Sequence, residues 1–158
     1  MIAPPDGRAQ SARVSPMNDR SPVVLFDGDC GFCNAAVRWT IRRDPLARLR
    51  FARLGSAAAR RAVALADPGT DLDALPDAIV LVDRGGVHTA SAAVLRMARH
   101  LRFPYPALCL ALVVPRPLRD AAYGTLARSR HRWPGRGGEC PLPPPGFASR
   151  FLDDDGRL

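Results

Sequence analysis

An apolar run that leads directly into two closely spaced cysteines constrains this chain more than any other feature. Residues 23–26 are Val-Val-Leu-Phe, and Asp-Gly-Asp follows at 27–29. A β-branched and aromatic run of this kind predicts a buried strand, and Asp-Gly-Asp predicts the turn that ends it. From Phe32 onward the apolar residues recur at helical spacing, as on one face of a helix. We therefore predict a strand, a turn and a helix in immediate succession.

The predicted helix begins at the two cysteines, Cys30 and Cys33. The unpaired backbone N–H groups and the dipole at a helix N-terminus stabilise an anion, so a thiol there ionises more readily than a free one. The thiolate is the form that attacks a disulfide, and a second thiol one turn along the helix can resolve the mixed disulfide. We therefore predict a dithiol–disulfide exchange site with Cys30 as nucleophile and Cys33 as resolving thiol.

The predicted turn before the cysteines carries two carboxylates, those of Asp27 and Asp29. Carboxylates near Cys30 oppose its ionisation and so work against the helix terminus. Asp27, at the end of the strand, can accept the proton of Cys33 during resolution. The alternative is that Asp-Gly-Asp supplies only turn and helix-cap chemistry. Both interpretations stay open for Asp27, and turn and cap chemistry is favoured for Asp29.

Length and charge narrow the class of protein. A chain of 158 residues with 47% hydrophobic content suits one domain with one hydrophobic core. The formal net charge is +8, and all 23 basic residues are arginine. Because the arginines spread along the whole chain instead of forming one block, we expect no nucleic-acid partner.

Cysteine content and hydropathy indicate the compartment. Four cysteines are too few for a disulfide scaffold at this length. The N-terminal residues show no apolar segment of a secretory signal. The longest apolar stretch, residues 105–114, is about half a membrane span. We therefore expect a cytoplasmic protein in a reducing compartment, without stable membrane insertion.

The order of the predicted elements indicates the fold class. Further strands are predicted at residues 49–54, 78–82 and 87–89, and helices at 57–66 and from Ser91, which we expect to cap or open the helix, to Leu101. The resulting order is strand, helix, strand, helix, strand, strand, helix. This is an α/β arrangement with a mixed sheet flanked by helices, the minimal thioredoxin-like core.

Composition suggests where the domain begins and ends. Residues 1–21 are rich in Pro, Ser, Gly, Asp and Arg, and we expect a flexible N-terminal extension there. Residues 22–132 are the predicted thioredoxin-like domain, including C-terminal helical additions from about Leu118 to Arg130. Residues 133–158 are dense in Pro and Gly, and we expect a tail without regular structure.

Taken together, these residues resemble the DCC-type thiol-disulfide oxidoreductases. The resemblance covers residues 22–141 and includes the strand followed by D-G-x-C-x-x-C. Further matches lie at Arg50–Phe51–Ala52–Arg53–Leu54, residues 77–82, Ser91–Ala92–Ala93–Val94, Pro115, Asp120–Ala121–Ala122–Tyr123 and Cys140–Pro141. The resemblance implies a thioredoxin-like fold and disulfide-reductase activity. Such a cycle needs no bound cofactor, only an external thiol as electron donor and a disulfide-bearing protein or small thiol as substrate.

Two residues are candidates for substrate contacts. Thioredoxin-like proteins carry a cis-proline just before the third strand, facing the dithiol, and Pro76 is in that position; an ordinary trans loop proline is the alternative. Phe32, between the cysteines, is expected either to contact substrate or to fill core space beneath the helix. Trp39, further along the same helix, is predicted to be in the core.

Two other function classes remain open from the sequence. One is a metal-binding or metal-carrier module that uses Cys30 and Cys33 with a third ligand such as Cys140. Zinc usually takes four ligands in two close pairs, and the sequence offers one close pair, so we expect no metal. The other is a non-catalytic interaction domain with residues 105–114 as an apolar docking surface, against the simpler prediction of a buried helix. Cys109 is predicted to be a buried, inert thiol, and Cys140 a free tail thiol or a regulatory bridge to the active pair.

Overall fold

A four-stranded mixed sheet forms the centre of the protein. The computed structural model describes residues 21–75, 78–129 and 146–152. The strands are β1 (Val23–Phe26), β2 (Arg50–Arg53), β3 (Val80–Asp83) and β4 (Gly86–Thr89). The α-helices are α1 (Gly31–Ile41), α2 (Ala57–Ala66), α3 (Ala90–Ala98) and α4 (Arg116–Ser129), and 3-10 helices span Leu72–Ala74, Tyr105–Val113 and Ala148–Arg150.

The sheet has the strand order β2-β1-β3-β4, with β1 at an interior position. β1 runs parallel to β2, with Val23 opposite Arg50, and antiparallel to β3, with Leu25 opposite Val80. β3 and β4 form an antiparallel hairpin, so β4 runs in the direction of β1. Helices α1 and α3 follow β1 and β4. Both helices therefore begin at the same end of the sheet, where the C-termini of these two strands lie. This is the predicted thioredoxin-like α/β fold.

Helices cover both faces of the sheet, because side chains alternate between the faces along β1. Val24 and Phe26 belong to one hydrophobic cluster, and Leu25 belongs to the other. The first cluster contains buried residues of α1 and α3, among them Cys33, Val37, Ile41, Ala93 and Met97. The second contains buried residues of α2, namely Ala58, Ala59 and Val63. In the part of the chain that is described, no helix is long and apolar enough to cross a membrane.

The side chain of Trp39 is not in the core, so that prediction was wrong. Helix α1 buries Cys33, Val37, Thr40 and Ile41, and position 39 lies outside this stripe. Trp39 is 40% exposed, and the guanidinium carbon of Arg43 lies 4.1 Å from the centre of its ring. The indole is therefore a surface group with a cation stacked on it.

Ser91 does not cap helix α3, so the first of its two predicted roles was wrong, but it does lie in the opening turn of the helix. The helix begins at Ala90, its cap position is Thr89, and no side chain makes the capping hydrogen bond. Ser91 lies in the first turn, is buried, and donates a hydrogen bond from its hydroxyl to Oδ1 of Asp120 at 2.5 Å. This contact joins α3 to α4, and with them two of the segments on which the family resemblance rests.

Residues 105–114 do not form a buried helix. The segment Tyr105–Val113 is a 3-10 helix in which no residue is buried. The Cys109 thiol on its inner side donates a hydrogen bond to the Leu95 carbonyl of α3 at 2.9 Å. Cys109 is half-buried, not fully buried as predicted.

Part of the predicted irregular C-terminal segment packs onto the sheet. Phe151 forms a parallel bridge with Phe51 of β2, and the Leu152 N–H donates to the Phe51 carbonyl at 2.8 Å. The ring of Phe151 lies between those of Phe51 and Phe26, at centroid distances of 5.5 and 6.2 Å. The chain therefore returns to β2, the edge strand next to β1.

A buried ion pair holds this returning segment in place. The Arg150 guanidinium donates to the Asp44 carboxylate and to the carbonyls of Leu49 and Ile41, and both charged residues are buried. Asp44 also accepts the backbone N–H groups of Arg48 and Leu49, at 3.1 and 2.9 Å. A buried charge is tolerated when it is paired and fully hydrogen-bonded, and these contacts meet that condition.

We expect Arg150→Ala to lower the free energy of unfolding by about 3–5 kcal/mol, because it leaves the Asp44 carboxylate buried without its cation. Chemical denaturation followed by circular dichroism measures this loss. Arg60→Ala is the control, since Arg60 and Asp73 form an ion pair that is exposed on both sides. That substitution should cost less than about 1 kcal/mol. Equal losses for the two variants would contradict the importance given to the buried pair.

The contact between Ser91 and Asp120 predicts a pH effect. The hydrogen bond from Ser91 is the largest cause that lowers the pKa of Asp120, and Arg116 contributes less. Stability from this contact is therefore present above the unfolded-state pKa of about 3.9 and is lost as the pH falls through the lowered pKa. We expect Ser91→Ala to raise the pKa of Asp120, as measured by NMR titration. Arg116→Gln should raise it less, and the reverse order would refute the assignment.

Candidate active site

Cys30 occupies the N-cap of α1. Its backbone is extended (φ −88°, ψ 108°), and its sulfur accepts a hydrogen bond from the Cys33 N–H at an N···S distance of 3.4 Å. The Cys30 carbonyl accepts the Asn34 N–H at 3.0 Å, which begins the helical hydrogen-bond ladder. A sulfur at this position faces the unpaired N–H groups of the first turn, which stabilise negative charge on it.

The two thiols differ in accessibility. Cys30 is half-buried, whereas Cys33 is buried in the core cluster beneath α1. The sulfur of Cys30 and the backbone of Cys33 meet in one hydrogen bond. A substrate disulfide can therefore reach Cys30 first, and Cys33 lies one helical turn behind it.

The turn that presents Cys30 is held by its own side chains. Oδ1 of Asp27 accepts the Asp29 N–H at 2.9 Å, and the Asn34 side-chain amide donates to the Gly28 carbonyl at 2.9 Å. Asp27 therefore performs the predicted turn chemistry. Asp29 is exposed, and the predicted cap role belongs to Cys30 instead.

Arg53 lies against this turn, although no role in the site was predicted for it from the sequence. A Cβ added to Gly28 would lie 3.0 Å from Nε of Arg53 and 3.1 Å from its Cδ. The ends of β1 and β2 are adjacent, with Phe26 opposite Arg53 and the Leu54 N–H bonded to the Phe26 carbonyl at 2.9 Å. A positive charge thus sits beside a turn that carries two carboxylates. The available signal was the alternation of apolar and basic residues along β2.

The two predicted substrate contacts have different outcomes. Phe32 is half-buried and packs in part against the core cluster that contains Cys33, and its contact with substrate stays a prediction. Pro76 lies outside the described residues, so its proposed place facing the dithiol remains a prediction. In the described part of the chain, the cis peptide bond is the one between Phe103 and Pro104.

The residues that are described bring no group of three His, Cys, Asp or Glu side chains together in a way that could hold a metal ion. Cys140, the third ligand in the metal-carrier alternative, lies outside the described residues. The described geometry around Cys30 and Cys33 thus offers two thiols and a helix terminus, which is the arrangement that dithiol–disulfide exchange uses.

Comparison with known proteins identifies the family. Residues 24–136 match the family described as DCC1-like thiol-disulfide oxidoreductase. The Uncharacterized protein YuxK of Bacillus subtilis (strain 168) is 38% identical over 130 residues, which cover 82% of this chain and 93% of that protein. The chloroplastic DCC family protein At1g52590 of Arabidopsis thaliana is 32% identical over 125 residues, 78% of this chain and 71% of that one. No solved structure matches. The chain belongs to the DCC1-like thiol-disulfide oxidoreductase family.

Proposed function

We propose that this protein reduces disulfides, with Cys30 as nucleophile and Cys33 as resolving thiol. The observation that carries the proposal is the Cys30 sulfur at the N-cap of α1, where it accepts the Cys33 N–H. This position stabilises a thiolate, and the half-buried Cys30 leaves it open to attack a substrate. Membership of the family supports the same chemistry.

The proposed cycle balances in two exchange steps. The Cys30 thiolate attacks one sulfur of the substrate disulfide, which forms a mixed disulfide and releases the other substrate sulfur as a thiolate. Cys33 then loses its proton and attacks the Cys30 sulfur. The second substrate thiol leaves, and Cys30 and Cys33 become a disulfide. An external thiol donor supplies two electrons and two protons to restore the dithiol, so the protein needs no bound cofactor.

Neighbouring residues are assigned supporting roles in this proposal. Asp27, next to the turn, accepts the proton of Cys33 in the second step. Arg53, against Gly28, offsets the negative charges of Asp27 and Asp29, which would otherwise oppose the Cys30 thiolate.

The substrate side of the proposal rests on the surface around the dithiol. Phe32 supplies an apolar contact at the edge of the core, and Pro76 supplies backbone to a bound peptide. The substrate is a disulfide-bearing protein or a small disulfide, and the electron donor is an external thiol. We place the reaction in the cytoplasm, because a reducing compartment drives the cycle towards reduction.

The environments of the thiols predict an order of alkylation. At neutral pH in a Cys140→Ser background, iodoacetamide should modify Cys30 first, because Cys30 is accessible and lies at a helix N-terminus. Cys109 should react slowly, since burial raises the pKa of its thiol, and it should catch up as the pH rises through that raised pKa. Peptide mapping by mass spectrometry gives the order. Modification of Cys109 before Cys30 at pH 7 would be the wrong result for this mechanism.

Substitution of Cys30 and substitution of Cys33 should have different effects on the reaction with a disulfide. In a Cys109→Ser/Cys140→Ser background, the intact dithiol should release two equivalents from an aromatic disulfide reagent that yields a coloured thiolate, and should end as the internal disulfide. Cys33→Ser should release one equivalent and retain the reagent on Cys30, and Cys30→Ser should lose insulin-reducing activity to background. Cys109→Ser is the matched control and should retain the activity.

The same variants separate the competing functions. If Cys33→Ser traps no substrate from solution and Cys30→Ser keeps full activity, the dithiol does not carry the function. One tightly held zinc ion per chain after purification under reducing conditions, lost in Cys30→Ser, would favour the metal-carrier alternative.

A further inference from the structure

The longest uncharged stretch of the described chain lies on the surface. Residues 103–115 contain no charged side chain. Phe103 is 85% exposed, Leu110 75% and Val113 87%, and Leu118, just beyond the stretch, is 64% exposed. Single exposed apolar residues are common, but several of them close together in the sequence are typical of a binding surface.

The 3-10 geometry of Tyr105–Val113 places several exposed apolar side chains on one line. Residues three apart in a 3-10 helix lie above one another, so Ala107, Leu110 and Val113 form one line along the segment. We call this line the apolar ridge, and all three of its members are exposed. Cys109, on the opposite side, bonds to the Leu95 carbonyl of α3 and fixes the orientation of the segment. Because the 3-10 segment packs against α3 through Cys109, the apolar ridge faces solvent.

Arginines flank the apolar ridge in the sequence, and the one that follows it is offset by a carboxylate. Residues 84–119 contain six arginines and no carboxylate. Arg99 and Arg102 are exposed before the ridge, and Arg116 is exposed after it, where it pairs with Asp120. An apolar surface edged by arginines is complementary to a surface that is apolar below and anionic above.

Aromatic rings adjoin the same surface. The Arg102 N–H donates to the Arg43 carbonyl at 2.8 Å, which joins the loop before Phe103 to the end of α1. There the Trp39 and Tyr105 rings pack edge to face at 4.9 Å, and the Tyr105 hydroxyl accepts the Arg43 Nε at 3.0 Å. Tryptophan and tyrosine beside arginine are the side chains favoured at a membrane–water interface.

We propose that this surface adsorbs to an anionic lipid bilayer, with the apolar ridge in the interfacial region and the flanking arginines at the headgroups. A nine-residue 3-10 helix is about 18 Å long, well short of a hydrocarbon core of about 30 Å, so the segment lies in the plane of the membrane and does not span it. A second copy of the chain is a poorer occupant, because residues 84–119 of that copy would offer no carboxylate to the arginines before the ridge. The adsorption needs neither Cys30 nor Cys33, and therefore does not depend on the proposed reductase activity.

Vesicle co-sedimentation of the full chain tests this inference. We expect binding to vesicles of phosphatidylcholine and phosphatidylglycerol, much weaker binding to phosphatidylcholine alone, and a decline as salt is raised. The double variant Leu110→Asp/Val113→Asp should bind about a hundredfold more weakly, since it removes two apolar contacts and adds two repelled charges. Leu65→Asp is the control, because Leu65 is 84% exposed on α2 and should leave binding unchanged.

Three outcomes would overturn the inference. The first is no binding to anionic vesicles at low ionic strength. The second is an equal loss of binding in Leu65→Asp and in the ridge variant. The third is a concentration-dependent dimer in sedimentation equilibrium that the ridge variant abolishes, which would make the occupant a second copy. Far-UV circular dichroism of each variant shows that the fold is retained, and Cys30→Ser should bind vesicles as wild type does.

Discussion

The burial of strand β1 on both faces is the constraint on which the rest of the structure depends. Val24 and Phe26 pack under α1 and α3, and Leu25 packs over α2, so the strand cannot shift by one residue without turning each side chain to the wrong layer. The position of the C-terminal end of β1 is consequently fixed within the sheet. Helix α1 begins there after a short turn, and Cys30 is the residue that caps it. The position of the candidate nucleophile therefore follows from the packing of apolar side chains several residues away.

The elements that depend on near neighbours in the sequence could be predicted. Helix α2 has the predicted bounds, because its alanine-rich pattern and the Ser56 cap are local signals. The outward position of Trp39 and the inward position of Ser91 could not be predicted, since they depend on which side of each helix meets the core. The pairing of Arg150 with Asp44 joins residues 106 positions apart, and no local sequence pattern predicts it. Composition alone made the C-terminal segment look irregular.

In the candidate site, too, features set by neighbouring residues could be predicted, and features set by contacts between distant residues could not. The spacing of Cys30 and Cys33 after an apolar run was sufficient to predict two thiols at a helix terminus, because strand, turn and helix are consecutive. The approach of Arg53 to Gly28 was not predictable in the same way. It results from the parallel register of β1 and β2, which brings a residue from the neighbouring strand against the turn. Charges supplied by other strands become visible only when the sheet has been assembled.

The C-terminal segment that returns to β2 has a consequence for the tendency of the protein to aggregate. A strand at the border of a sheet offers unpaired backbone groups to any other extended chain, and this is a common origin of aggregation. Here the Phe51 carbonyl of β2 is occupied by Leu152, and the Phe151 ring covers the neighbouring aromatic surface. Residues 151 and 152 thus cover the outer side of β2, an edge strand of the sheet. Residues 151 and 152 thereby hinder the pairing of separate copies of the chain through β2, a role that does not depend on the chemistry of Cys30 and Cys33.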